Sequence, residues 1–329
     1  LDITILQTYW RQRDRLVGQA ADAIRLMQKA LDLMNLHLHK AISDLSGVTG
    51  LRIVRTILEG NHDPEALALM REPGIKCPHE ELVHALTGNY RMEHLFSLKL
   101  ALAQYDFAWQ QIKECDTALS AYLSSLPDGP SNDIPGDTGS ANKPTCKKKG
   151  SRSKGNAPKT FDLESEVARL TGRNFEAIPG LGPMTIMTGI AEVGLDLSKW
   201  PTEQHFSSWL SLSPNHKITG GRVISRRTRK NKNRFAAALR MSATSLQRSK
   251  SALGAEYRRL RARIGGPKAV TAMARKLACL YYRLMRYGSA YVDAGQEAYE
   301  AKHRERTIKY IQKRALELGL ELRYPAPCV

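Results

Sequence analysis

One stretch divides this chain before any helix or strand is assigned. Between Pro127 and Thr160 the sequence is rich in Gly, Pro, Ser, Asn and Lys, and Ile134 is almost its only large apolar residue. Such a segment buries too little surface to offset the entropy of ordering it, so it reads as a flexible linker. The 329 residues therefore cannot share one continuous core and must fold as separate pieces. The reading is a helical, coiled-coil-like region over 1–126, a linker over 127–160, a compact domain over 161–290, and a charged C-terminal helix over 291–329. Within the linker, Lys147, Lys148 and Lys149 read as solvated charge, with contact to phosphates as the alternative.

Both flanking pieces carry helical spacing, so the fold class expected is mainly all-α. In the first piece apolar residues recur at Ala20, Ile24, Met27, Leu31, Met34, Leu38, Ala41 and Leu45, in alternating steps of four and three. That is a heptad seam. It serves either packing within its own domain or self-association through a helical hairpin or coiled coil. A turn is expected at Ser46-Gly47-Val48-Thr49-Gly50, then a helix ending near Gly60. Asp63-Pro64 has the side chain and the ring of a helix start. A second long helix is expected over Tyr90 to Leu126, with Leu95, Leu98, Leu102, Tyr105, Trp109 and Ile112 on one face. Beyond the linker, helices are expected near Asn233 to Ser249, Leu253 to Ile264 and Pro267 to Tyr287. The last has a stripe of Val270, Met273, Leu277, Leu280 and Leu284 and a stop at Gly288.

Charge narrows the function. The formal net charge is +18, and it is concentrated. Lys217 to Arg286 holds 20 Lys and Arg against one acid, Glu256. A stretch this one-sided repels itself unless a polyanion neutralises it, which points to nucleic acid. A membrane surface fits poorly, because the apolar face of this region has the pattern of ordinary core. No apolar run is long enough to span a bilayer, and no signal peptide is visible in the charged first 45 residues. The five cysteines are scattered and unpaired in pattern, which fits a reducing cytoplasm and no zinc site.

Two segments carry candidate chemistry. In Ile178-Pro179-Gly180-Leu181-Gly182-Pro183, Gly180 and Gly182 permit a tight turn that opens a helix, whose N-terminus would present N–H groups to a phosphate. The segment resembles a helix-hairpin-helix turn, and a purely structural interhelix turn is the alternative. The second segment is Lys217-Ile218-Thr219-Gly220-Gly221-Arg222, followed by Arg226, Arg227, Arg229, Lys230, Lys232 and Arg234. It reads as a basic loop whose arginines suit bidentate phosphate contacts. By residue pattern alone, Thr219 beside two glycines is more often a turn residue than a nucleophile.

The order of these strings carries a resemblance. Ile178 to Pro183, Ala191-Glu192-Val193-Gly194, Phe206-x-x-Trp209-Leu210, Leu212-Ser213-Pro214, Ile218-Thr219-Gly220-Gly221 and Asn233-Arg234 together resemble the C-terminal domain of the RuvC-like DEDD transposases of bacterial insertion sequences. These are also called bridge-RNA-guided recombinases. The likeness runs over roughly Phe175 to Gly288, and Arg11-x-Arg13-Asp14 with the helices after it is similar to that family's central coiled-coil region.

The resemblance implies an enzyme that cuts and joins DNA, with structured guide RNA as partner and a cytoplasmic, nucleoid-associated place in a bacterium. It implies a homo-oligomer assembled through the N-terminal helices. It also implies Mg²⁺ held mainly by four acids of an N-terminal RuvC-like domain, which would lie upstream of Leu1. The family's serine nucleophile falls on Thr219, which keeps the hydroxyl but adds a methyl. Gly220 and Gly221 would give that hydroxyl room. Lys217, Arg222, Arg226, Arg227, Arg229, Lys230, Lys232 and Arg234 would hold phosphates. A non-catalytic nucleic-acid-binding protein, such as a truncated or decayed transposase, is the rival reading. His37 and His39, two apart, would not share a helix face. Neither they nor His79, His84, His94, Asp116, Glu192 or Asp196 form a metal-binding pattern.

Overall fold

The computed structural model describes residues 3–129, 155–175, 177–225, 227–288 and 295–320. The chain divides into two compact units. One holds Leu1–Thr4, Ser125–Arg152 and Asp162–Val329, and the other holds Ile5–Ser124 and Ser153–Phe161. Residues 130–154, most of the stretch expected as a linker, lie outside the described residues, as does the lysine cluster within it. The described chain is predominantly helical, and none of its helices is long and apolar enough to cross a membrane.

The smaller unit is built on α1 (Ile3–Leu33), α2 (Leu38–Ala41), α3 (Val48–Leu58), α4 (Pro64–Ala68), α5 (His79–Leu86) and α6 (Met92–Ser124). From Ile5 onward α1 belongs to this unit. α1 and α6 run antiparallel. Tyr9 meets Tyr122 with ring centroids 6.4 Å apart, and Arg13 Nε donates to Asp116 Oδ1 at 2.6 Å. Leu16, Ala20, Met27, Leu98, Leu102 and Ile112 are buried in the shared core. Of the face expected on α6, Leu95 and Trp109 are only half-buried. Asp63 caps α4 as expected, its carboxylate accepting from the N–H groups of Glu65 and Ala66.

The heptad seam does not continue as one helix to Leu45. α1 stops at Leu33 because Asn35 takes a left-handed conformation, φ +60°, and the Leu36 N–H returns to the Leu31 carbonyl at 2.9 Å. Asn tolerates that conformation through its short polar side chain. Met34, Leu36 and Leu38 are nevertheless completely buried, so a helical stripe and a buried turn give the same apolar spacing. The break also corrects the reading of His37 and His39. They are not on one helix, and both Nδ1 atoms face Asp32, at 3.6 and 3.3 Å from its Oδ1.

In the larger unit, α7 (Leu163–Thr171), α8 (Pro183–Val193) and α9 (Glu203–Trp209) precede a two-stranded antiparallel hairpin, β1 (Lys217–Thr219) and β2 (Arg222–Ser225). Then come α10 (Arg234–Ser245), a single 3₁₀ turn at Leu246–Arg248, α11 (Ala252–Ile264), α12 (Gly266–Tyr287) and α13 (Gly295–Glu317). The core is aromatic. Phe206 lies 5.6 Å from Tyr282 and 6.3 Å from Tyr281, and Tyr281 lies 4.9 Å from Phe235, ring centre to ring centre. Complete burial drives the Tyr281 hydroxyl well above the usual phenol range. Met273, Leu277 and Leu284 of the expected α12 stripe are buried, while Val270 and Leu280 are only half-buried. The space beside them is taken by Ala274, Tyr281 and Tyr282, an alternative face at the same helical spacing.

Candidate nucleic-acid interface

The segment expected as a basic loop is a β-hairpin. Thr219 pairs with Arg222 and Ile218 with Val223, so the connection is the two-residue loop Gly220-Gly221. Both glycines have positive φ, +54° and +74°. A two-residue hairpin of this hand requires that at both positions, and Gly meets it without strain. The ladder is irregular beyond Ile218, where Lys217 pairs with Ser225 and Ile224 is the extra residue. Pairing resumes at the base, where Pro214 bridges Thr228 and the Asn215 N–H donates to the Arg227 carbonyl at 3.1 Å.

The pairing sorts the side chains. Residues directly opposite each other share a face. Thr219 and Arg222 therefore project from one side, joined by Lys217, two residues before Thr219. Ile218 and Val223 project from the other. Among the described residues little covers the ribbon: Ile218 is 61% exposed, Val223 40% and Ile224 68%.

The arm is rooted firmly. Asn231 Nδ2 donates to the Trp209 carbonyl and to Ser211 Oγ, at 3.4 and 3.3 Å. Its Oδ1 accepts from the Asn233 N–H at 3.0 Å. Asn233 in turn caps α10, with its Oδ1 2.9 Å from the Ala236 nitrogen. Ser211 takes a left-handed conformation, φ +56°, at the turn where Asn231 docks. These two asparagines and Ser211 position the arm without contributing charge. The asparagine spacing, two apart just before a helix, was the sequence signal for them.

The basic residues fall into two groups. Lys217, Arg222, Arg227, Arg229, Lys230 and Lys232 are exposed, and no ion pair among the described residues involves them. Arg226 lies outside the described residues, and Arg234 is the first residue of α10. Farther along, several cations serve the fold. Arg283 Nη2 donates to Glu203 Oε1 at 2.7 Å, and this bond holds the Glu203 carboxyl below its usual range. Lys276 pairs with Glu256. Arg286 Nη1 donates to the carbonyls of Leu197, Ser198 and Trp200, and Arg258 Nη1 to those of Gln247 and Ser249. The charge excess therefore divides between cations engaged by the fold and exposed ones: the arm holds six of the exposed cations close together, and Arg248, Lys250, Arg261, Arg263 and Lys268 are exposed as well.

The Gly180 turn stands apart. Gly180 has φ +92°, and a Cβ there would come within 3.2 Å of the Ser242 carbonyl oxygen and of the Leu246 side chain. Its backbone thus packs on the C-terminal end of α10, whereas the arm enters α10 at its N-terminus. About 14 Å of helix separates those two ends. Gly182 is the N-cap of α8, and its carbonyl accepts from the N–H groups of both Thr185 and Ile186. Pro183 has no N–H, so among the described residues this first turn offers few free donors. Close packing against α10 is the role Gly180 visibly plays.

Thr219 makes no side-chain hydrogen bond among the described residues, and no acid pairs with its neighbour Arg222. Asp196 accepts from the N–H and hydroxyl of Ser198, both at 2.7 Å, which lowers its pKa and makes it a turn residue. His79 pairs with Glu65 at 2.8 Å. Among the described residues no group of three or more His, Cys, Asp or Glu is placed to hold a metal ion.

The arm, the Gly180 turn and α10 fall within one recognisable segment. Residues 172–258 match the Transposase IS116/IS110/IS902 family. The matched span opens at Gly172, the left-handed stop of α7, and closes at Arg258 within α11. It takes in the whole hairpin and both asparagines that root it. The matched segment therefore includes the six exposed cations of the arm. No curated protein matches the chain.

Proposed function

We propose that this chain binds nucleic acid through the basic arm 217–232, as the DNA-handling part of a transposase of the IS116/IS110/IS902 type. The observation that carries this reading is the set of six exposed cations without ion-pair partners among the described residues, on a ribbon anchored to a rigid core. Duplex DNA is the partner, and structured RNA presents the same phosphate chemistry. Self-association through the smaller unit belongs to the same reading. It is supported by Phe96, Leu100 and Phe107, which lie exposed along one side of α6.

Binding is preferred over strand cleavage by Thr219 as the activity of this chain. Phosphoryl transfer depends on positioning and on neutralising charge around the phosphate, commonly with metal held by acids. Thr219 has Arg222 opposite it and two glycines beside it, but no acid set accompanies it among the described residues.

The test is a binding isotherm of the full chain on a duplex of about 30 base pairs, measured between about 50 mM and about 200 mM salt. Six phosphate contacts give a slope of log K against log salt near −5, and an affinity loss of about 10³-fold over that range. A flat response contradicts the electrostatic reading.

A further inference from the structure

We infer that the β1–β2 ribbon enters the major groove of B-form DNA, with Ile218 and Val223 against thymine methyl groups and the neighbouring cations on the phosphates. This rests on the nucleic-acid reading above and adds a position and a recognised chemical group to it.

The argument begins with stability. A two-stranded hairpin in water is marginal by itself, and among the described residues little covers the apolar side of this one. A partner must therefore offer an apolar surface to Ile218 and Val223. It must also be anionic, because Lys217 and Arg222 stand on the other face of the same ribbon, Arg227 and Arg229 follow it directly, and no acid occurs between Glu203 and Glu256. The major groove of B-DNA meets both demands at once. It is about 12 Å wide and admits a two-stranded ribbon, and its floor carries the C5-methyl of thymine between two phosphate ridges. The minor groove has no such methyl. The major groove of duplex RNA is too deep and narrow for side chains to read.

The shape of the arm agrees. Its tip is Gly220-Gly221, with open space where a Cβ would stand at either position, so nothing bulky limits how deep the ribbon goes. Its base is tied by Asn231 to the α9 turn, which fixes the direction of approach.

The experiment compares the full chain on two duplexes of about 30 base pairs, one of alternating dA·dT and one of alternating dA·dU. The second lacks the methyl groups and keeps the phosphates. Wild type is expected to bind the thymine duplex about tenfold more tightly, as burial of two or three methyl groups implies. The double variant Ile218→Ser, Val223→Ser alters only exposed positions, and circular dichroism verifies its fold. It is expected to bind both duplexes equally, with the salt slope of wild type. Arg222→Ala is expected to keep the thymine preference and lower the slope by about 1. Methylation of adenine N3, in the minor groove, is expected to leave binding intact.

Equal wild-type affinity for both duplexes with salt dependence retained overturns the groove placement alone, as does interference from N3 methylation. Absence of salt-dependent binding to either duplex overturns the nucleic-acid reading with it.

Discussion

With Lys217, Arg222, Arg227, Arg229, Lys230 and Lys232 all replaced by alanine, the chain is expected to lose about five units of salt slope and roughly three orders of magnitude in duplex affinity at low salt. The size follows from counterion release, in which each neutralised phosphate contributes about 0.9 to the slope. These six side chains are exposed and make no ion pairs among the described residues, so their removal leaves the core intact. The control is the same number of changes among cations already engaged by the fold. Arg286, bonded to three backbone carbonyls, and Arg283, bonded to Glu203, belong to that group. Their replacement is expected to lower thermal stability while changing the slope little. Retention of the wild-type slope by the six-alanine variant would show that binding uses another surface.

The second large effect is on stability, in the smaller unit. Arg13 is 1% exposed and Asp116 2%, and the two are joined at 2.6 Å between α1 and α6. The Arg13 guanidinium also lies over the Trp10 ring, 5.8 Å from its centroid. Arg13→Leu leaves a carboxylate buried without its partner and is expected to cost about 3–5 kcal/mol. The double change Arg13→Leu, Asp116→Leu removes both charges and is expected to recover most of that loss, because an apolar pair carries no desolvation penalty. A calorimetric scan of the three proteins decides the matter. If the double variant is no more stable than Arg13→Leu, the cost is one of packing rather than of a stranded charge.

Much of this was legible in the residues, and the misses have physical causes. Helices α10, α11 and α12 were expected within a few residues of their ends from their apolar spacing and the stop at Gly288, and the side-chain caps Asn233 and Ser251 fix two of their starts. The seam from Ala20 to Leu45 misled because a buried turn at Met34–His37 continues the apolar spacing of the helix before it. Asn35 was the signal that the helix ends there. The hairpin was read as a loop because both its strands are exposed, so neither shows the alternation of a half-buried strand. The Gly-Gly pair is a hairpin turn signal, yet only one apolar residue precedes it.

The candidate site shows the same limit. Charge counting located the basic region but could not separate cations that neutralise a partner from those that tie the fold together. Arg258 and Arg222 look alike in sequence. One hydrogen-bonds to two backbone carbonyls, and the other projects from an exposed strand. The Gly180 turn was read as a phosphate site or an interhelix turn, and its backbone rests against Ser242 and Leu246.

Amide hydrogen exchange of the full chain, with and without a saturating DNA duplex, tests the arm as the binding element most directly. The hairpin is exposed and two-stranded, so its free amides exchange quickly. Duplex-dependent protection centred on residues 217–232, with α11 and the smaller unit unchanged, is the expected result. Protection confined to other elements, with the arm exchanging as fast in the complex as in the free chain, would contradict it.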